Sequence, residues 1–115
     1  MDILSSILSG LSGGGKIPLS EAKSSAPNQM GCYRIYLGGK LMYVGKAEDG
    51  IRKRFVQYYN GTTAHYPSAQ SIYEHRDEVK VSWQVLDSRE ACRETERRWI
   101  DDYAPEWNAQ KGWGG

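Results

Sequence analysis

The stretch Gly31–Tyr58, GCYRIYLGGKLMYVGKAEDGIRKRFVQY, decides the fold and holds most of the candidate functional residues. Two alternating apolar runs, residues 32–37 and 40–45, flank Gly38-Gly39. A glycine pair accepts the positive φ angles that a tight hairpin turn requires. The segment after the hairpin carries basic and aromatic residues at helical spacing. The sequence therefore predicts a β-hairpin followed by a basic helix, with tyrosines, a lysine and arginines at one corner.

A third strand and a long helix follow in the second half of the chain. Val79, Val81, Trp83 and Val85 alternate with polar residues, which predicts a strand that joins the hairpin. A helix then begins near Asp87-Ser88, either of which can cap it. We therefore expect an α/β (α+β) fold in which a small three-stranded antiparallel sheet is flanked by helices.

Length and charge limit the classes of function. The 115 residues suffice for one small domain with a single modest core. A net charge of +1 provides no overall basic field, so a nucleic-acid partner requires a local basic patch. Two interpretations of the basic residues stay open, a nucleic-acid patch and two solvated helix faces. The residues concerned are Arg52, Lys53, Arg54, Arg93, Arg97 and Arg98.

The cysteines and the lengths of the apolar runs indicate in which cellular compartment the protein is expected. Cys32 and Cys92 lie in strand and helix patterns, which favours buried free thiols over a disulfide or a zinc site. No run approaches the ~18 apolar residues of a membrane span, and Met1-Asp2 does not begin a basic signal region. We therefore predict a cytoplasmic location and no membrane partner.

Residues 1–29 differ in composition from residues 30–115. Apolar residues at helical spacing between Ile3 and Leu11 predict an amphipathic helix, which a glycine run ends. The polar segment behind it is expected to lie over the surface, with a short helix at residues 19–23. The amphipathic helix is expected to pack on the domain or on a second copy, forming a homodimer or a larger assembly. Recruitment of another partner is the alternative.

Gly31-Cys32-Tyr33 and Tyr43-Val44-Gly45 are two short signatures on adjacent strands. Their order resembles that of the GIY-YIG nuclease superfamily, in which a helix with an arginine follows the second signature. Farther on, Glu96 precedes Asn108 by twelve residues and resembles the family's metal-binding glutamate and its asparagine. The motifs are most similar to the N-terminal nuclease domain of the bacterial excision-repair endonuclease.

The resemblance implies a set of site residues. Glu96 is the implied metal ligand, for Mg²⁺ or Mn²⁺, and Tyr33 is the implied general base, its pKa lowered by Lys46 or the metal. The implied catalytic residues are Tyr33, Tyr43, Lys46, Arg54, Tyr58, Glu96 and Asn108. Basic residues outside this set are candidate nucleic-acid contacts, namely Arg52, Lys53, His65 and Arg97.

These expectations predict a metal-dependent endonuclease that hydrolyses DNA phosphodiester bonds, one strand per active site. With residues 30–115 as the nuclease domain, it is expected to act alone or within a larger assembly. The alternative is a non-catalytic nucleic-acid-binding or protein-interaction module on the same fold. In that alternative the motif tyrosines are ordinary strand residues of a small core.

Overall fold

The hairpin forms as the sequence predicts, in a computed structural model that describes residues 15–109. Gly38 and Gly39 have φ angles of 61° and 83°, which residues with a Cβ atom rarely adopt. The elements in chain order are β1 (Ile17–Pro18), α1 (Leu19–Ser25), β2 (Gly31–Leu37), β3 (Lys40–Ala47), α2 (Ile51–Asn60), α3 (Pro67–Glu74), β4 (Lys80–Val85), α4 (Arg89–Tyr103) and a 3-10 turn (Glu106–Ala109).

The four strands form one antiparallel sheet in the order β1-β4-β2-β3. Strand β2 is therefore central, and β3 is an edge strand. Helices flank the sheet, so the expected fold class is confirmed. The sequence predicts three strands and does not predict β1, because two residues are too few to show any periodicity. Ile17 pairs with Val81 of β4, and Pro18 pairs with Lys80.

Each face of the sheet covers its own core. Alternate residues of β2 point to opposite faces, so Tyr33 and Ile35 enter one core while Cys32 enters the other. The larger core packs the sheet against α1, α2 and α3 and includes the fully buried Phe55. The smaller core lies under α4, where Cys32 and Cys92 meet as buried free thiols.

The segment before β2 belongs to the larger core. Leu19 and Ala22 of α1, with Ala26 just after it, are fully buried. The prediction that residues 18–29 lie over the surface is wrong at these positions, because their apolar side chains cover the sheet and α2. The amphipathic helix expected near residues 3–11, with its role in dimerisation or assembly, lies outside the described residues.

Helix α4 begins where the sequence predicts. The hydroxyl of Ser88 accepts a hydrogen bond of 3.0 Å from the backbone N–H of Ala91. At the other end Ala104 has a left-handed φ of 41°, and Pro105 follows. Behind Pro105 the chain returns to the sheet, where Trp107 is buried in the larger core. Within residues 15–109, none of the helices has the length and apolarity to cross a membrane.

Candidate active site

Three tyrosines of the two signatures and of α2 form one aromatic cluster. The hydroxyls of Tyr33 and Tyr58 share a hydrogen bond of 2.5 Å, and both side chains are buried. The ring centroid of Tyr43 lies 6.3 Å from that of Tyr33 and 6.5 Å from that of Tyr58. Burial raises the pKa of all three hydroxyls above the ordinary value. The tyrosines are therefore protonated at neutral pH in this structure.

The glycines of the two signatures make room for this cluster. Tyr33 pairs with Gly45 across the two strands. A Cβ atom at Gly45 would lie 2.5 Å from the hydroxyl oxygen of Tyr33, and one at Gly31 would collide with the backbone carbonyl of Gln84. Both signatures thus require glycine for steric reasons, because the tyrosine ring and the neighbouring strand occupy the space of a side chain.

Arg54 of α2 holds the tyrosine cluster to the end of β3. Its guanidinium Nη1 donates a hydrogen bond of 3.0 Å to the backbone carbonyl of Lys46. Arg54 also lowers the pKa of Tyr33 and Tyr43, in opposition to burial. The cation beside Tyr33 is therefore Arg54 rather than Lys46, whose side chain lies on the opposite face because Lys46 pairs with Cys32.

Glu96 of α4 approaches the same strand end from the other face of the sheet. Burial raises the pKa of its carboxyl, while Lys46 and Arg54 lower that pKa through their positive charges. Its negative charge in turn raises the pKa of Tyr43. Side chains from both faces of the sheet therefore meet around the end of β3. Because β3 is an edge strand, no further strand of the sheet covers its outer side there.

Asn108 binds the outer edge of β3. Its Oδ1 accepts a hydrogen bond of 2.9 Å from the backbone N–H of Val44, and its Nδ2 donates one of 2.9 Å to the carbonyl of Val44. Val44 lies between Tyr43 and Gly45 of the second signature. Asn108 thus holds the strand that carries Tyr43, and both ends of its amide are occupied in doing so.

The substitution Asn108→Ala is expected to destabilise the fold. It leaves two backbone groups of the buried Val44 without partners, and we expect a loss of about 1–3 kcal/mol in the free energy of unfolding. Urea unfolding followed by tryptophan fluorescence measures this loss. Asn108→Asp, which keeps the acceptor for the Val44 N–H, is expected to lose less. An unchanged unfolding midpoint for the alanine variant would contradict the prediction.

Comparison with known proteins places this geometry in a family. A family model described as the GIY-YIG catalytic domain matches residues 29–110, which is most of the chain. The chain belongs to the GIY-YIG family. The predicted family, its fold class and its class of enzyme, a nuclease, are thereby confirmed.

The relatives of this GIY-YIG domain include proteins named UvrABC system protein C. The one from Thermobifida fusca is 30% identical over 87 residues, which cover 75% of this chain and 13% of that protein. The one from Mycolicibacterium paratuberculosis is 28% identical over 90 residues, again 13% of its length. The chain thus spans about an eighth of the length of these curated relatives.

The fold is also similar to that of a solved structure. The GIY-YIG N-terminal endonuclease domain of UvrC from Thermotoga maritima was crystallised with its catalytic divalent cation, magnesium. It matches with a TM-score of 0.65 at 25% identity, covering 79% of this chain and 96% of that one. The GIY-YIG domain here is therefore related to the endonuclease domain of UvrC.

The four candidate nucleic-acid contacts occupy different places in the GIY-YIG domain. Arg97 lines an open cleft on α4 together with Lys46 and Glu96. Lys53 is exposed and pairs with Asp49. The remaining two lie away from this cleft. Arg52 donates a hydrogen bond of 2.7 Å to the carbonyl of Ala26, and the ring of His65 contacts that of Tyr66 at a tilt of 41° in the loop before α3.

The sequence patterns do not select three polar residues that lie beside the tyrosine cluster. Ser68, in the first turn of α3, lowers the pKa of Tyr43 through a hydrogen bond. Glu48 and Asp49, in the turn between β3 and α2, pair with cations of the site. No sequence pattern marks them, since acidic and hydroxyl residues are common in turns and at helix starts.

Proposed function

We propose that this GIY-YIG domain is a metal-dependent endonuclease that hydrolyses phosphodiester bonds of DNA, one strand per active site. The observation that carries the proposal is the meeting of Glu96, Arg54 and the tyrosine cluster around one open strand end. Phosphodiester hydrolysis needs a metal ligand, a group that handles the proton of water, and cations for the developing charge. These three requirements match residues gathered here from α4, α2 and the hairpin.

The residues present fit a magnesium ion. Mg²⁺ prefers hard oxygen ligands and retains several waters, so one or two carboxylates suffice to hold it. Glu96 would hold the ion through a half-buried carboxylate. Within residues 15–109, no three His, Cys, Asp or Glu side chains gather as a metal cluster. When bound, the ion supplies a Lewis acid that stabilises negative charge on phosphate oxygens.

Arg54 is the proposed ligand of the scissile phosphate. Its planar fork can donate two hydrogen bonds to non-bridging oxygens, a geometry that lysine cannot reproduce. The hydrogen bond to the Lys46 carbonyl fixes the guanidinium before any substrate arrives. A donor fixed in this way stabilises developing charge without reorganising.

The tyrosines are proposed to orient the attacking water. We assign the general-base role to Tyr33, with Tyr43 and Tyr58 positioning the phosphate. Because burial raises the pKa of Tyr33, its hydroxyl becomes a tyrosinate, the form that can accept a proton from water, only when positive charge compensates. Arg54 provides such a charge, and the hydroxyl of Tyr58, which shares a hydrogen bond with that of Tyr33, can donate to the tyrosinate oxygen.

Nicking of supercoiled plasmid tests the proposal. We expect open-circular product with Mg²⁺ or Mn²⁺, none with EDTA, and recovery when metal is restored. The product should appear before linear DNA, because one site cuts one strand. An RNA of matched sequence serves as the substrate control. Metal-indifferent DNA binding without scission would instead support the non-catalytic module.

A further inference from the structure

The turn between β3 and α2 gathers the ion pairs of this domain. Within residues 15–109, five of the six side-chain ion pairs end on Glu48 or Asp49. Their cations come from three separate elements, β3, α2 and α4. Glu48 pairs with Lys46 at 3.7 Å, Arg89 at 3.8 Å and Arg93 at 4.0 Å. Asp49 pairs with Lys53 at 3.1 Å and Arg54 at 3.8 Å.

The pairs that Arg89 and Arg93 make with Glu48 do little for folding. The side chains of Arg89 and Arg93 are 73% and 60% exposed, and the N–O distances are longer than those of charge-assisted hydrogen bonds. Exposed pairs of this kind contribute little to stability. Stability therefore does not explain why three cations meet at the carboxylate of Glu48.

Four of these five cations line the open clefts at the candidate active site. One cleft contains Lys46, Arg54 and Arg89 together with both acidic residues of the turn. The adjoining cleft contains Lys46, Arg93 and Arg97 beside Glu96. Arg89, Arg93 and Arg97 recur every four residues along α4, a row about 12 Å long at ~1.5 Å per residue. A row of that length can meet a few consecutive phosphates of one DNA strand, which rise by about 3.4 Å each along the helix axis.

We propose that the backbone of the DNA runs along this row, and that Glu48 and Asp49 occupy the phosphate-binding cations until DNA displaces them. The inference rests on the proposed function, because the ligand is the phosphate backbone of its substrate. A phosphate carries acceptor oxygens of the same kind as a carboxylate, so it can take the place of Glu48 between Lys46, Arg89 and Arg93. The acidic turn therefore weakens the binding of any DNA whose phosphates do not contact all of these cations.

The substitution Glu48→Gln tests this inference by the sign of its effect. Fluorescence anisotropy with a short labelled duplex, in EDTA, measures binding without cleavage. We expect binding to tighten by about threefold to tenfold, with a salt dependence steeper by about one unit for each cation freed to meet a phosphate. Asp101→Asn removes the same charge from an exposed position elsewhere on α4 and controls for net charge alone.

A double-mutant cycle with Arg93→Ala makes the test specific. If Glu48 competes for Arg93, Arg93→Ala should cost more DNA affinity in the Glu48→Gln background than in the wild type. Arg98→Ala, on the same helix but outside both clefts, should cost equally in both. If Glu48→Gln does not fold, Asp49→Asn repeats the anisotropy measurement at the second acid, and Lys53→Ala replaces Arg93→Ala in the cycle because Lys53 pairs with Asp49.

Three results would overturn the inference. Binding by Glu48→Gln no tighter than by Asp101→Asn would leave only a net-charge effect. An equal cost of Arg93→Ala in both backgrounds would show no competition. Weaker DNA binding together with weaker Mn²⁺ binding would make Glu48 a metal ligand. The proposed function fails separately, if the wild type does not nick DNA while Glu48→Gln still binds it more tightly.

Discussion

Glu96→Gln is expected to lower plasmid nicking by about a thousandfold, which corresponds to roughly 4 kcal/mol of lost metal-dependent stabilisation. Glutamine keeps the size of the side chain but carries no negative charge with which to hold a divalent cation. The change should act mainly on the chemical step, because phosphate contacts by Arg54 and Lys46 remain. Single-turnover nicking at saturating protein measures that step directly.

Glu94→Gln is the matched control for Glu96. It removes the same charge two residues away on α4, from an exposed side chain in the same cleft. We expect its nicking rate to lie within a few-fold of the wild-type rate and its affinity for Mn²⁺ to equal that of the wild type. Equal activity of the two variants would exclude Glu96 as the metal ligand.

Arg54→Lys is expected to slow nicking by about a hundredfold, within the range seen when one fixed donor to developing charge is lost. The charge is kept, so DNA affinity should change little, whereas the forked geometry is lost. The rate at saturating DNA and the dissociation constant, measured separately, distinguish these two effects.

Two comparisons complete the test of Arg54. Arg98→Lys makes the same exchange at an exposed position of α4 and should leave the rate unchanged. Thermal unfolding shows whether the lost hydrogen bond to the Lys46 carbonyl, rather than lost catalysis, explains a slow variant. A rate loss matched by an equal loss of DNA affinity would make Arg54 a binding residue only.

The sequence predicts much of the fold because its signals are local. The pair Gly38-Gly39 marks the hairpin, and Ser88 marks the start of α4; both lie where the structure has them. Strand β1 and the burial of Leu19 escape prediction for the opposite reason. A two-residue strand has no period, and a seven-residue helix with two buried residues resembles a surface segment.

The candidate site shows the same division. Tyr33 and Tyr43 stand in the two signatures and Glu96 stands twelve residues before Asn108, so motifs suffice to select them. Their grouping depends on β3 being an edge strand, around which residues from both faces meet. Asn108 binds the backbone of Val44, and such a contact does not require any particular side chain at that position. The sequence therefore does not reveal the contact. The roles of all these residues in catalysis stay predictions.

The contact between Asn108 and Val44 also bears on self-association. An edge strand offers unpaired N–H and C=O groups to any other chain that can align with it, which is a common route to aggregation. The Asn108 amide presents an N–H donor and a C=O acceptor side by side, as a backbone unit does, and it binds both backbone groups of Val44. One side chain thus takes the place of a fifth strand at that point. Loss of that amide would leave the backbone groups of the strand that carries Tyr43 free to pair with other copies of the protein. Self-association should therefore accompany any loss of order at the site.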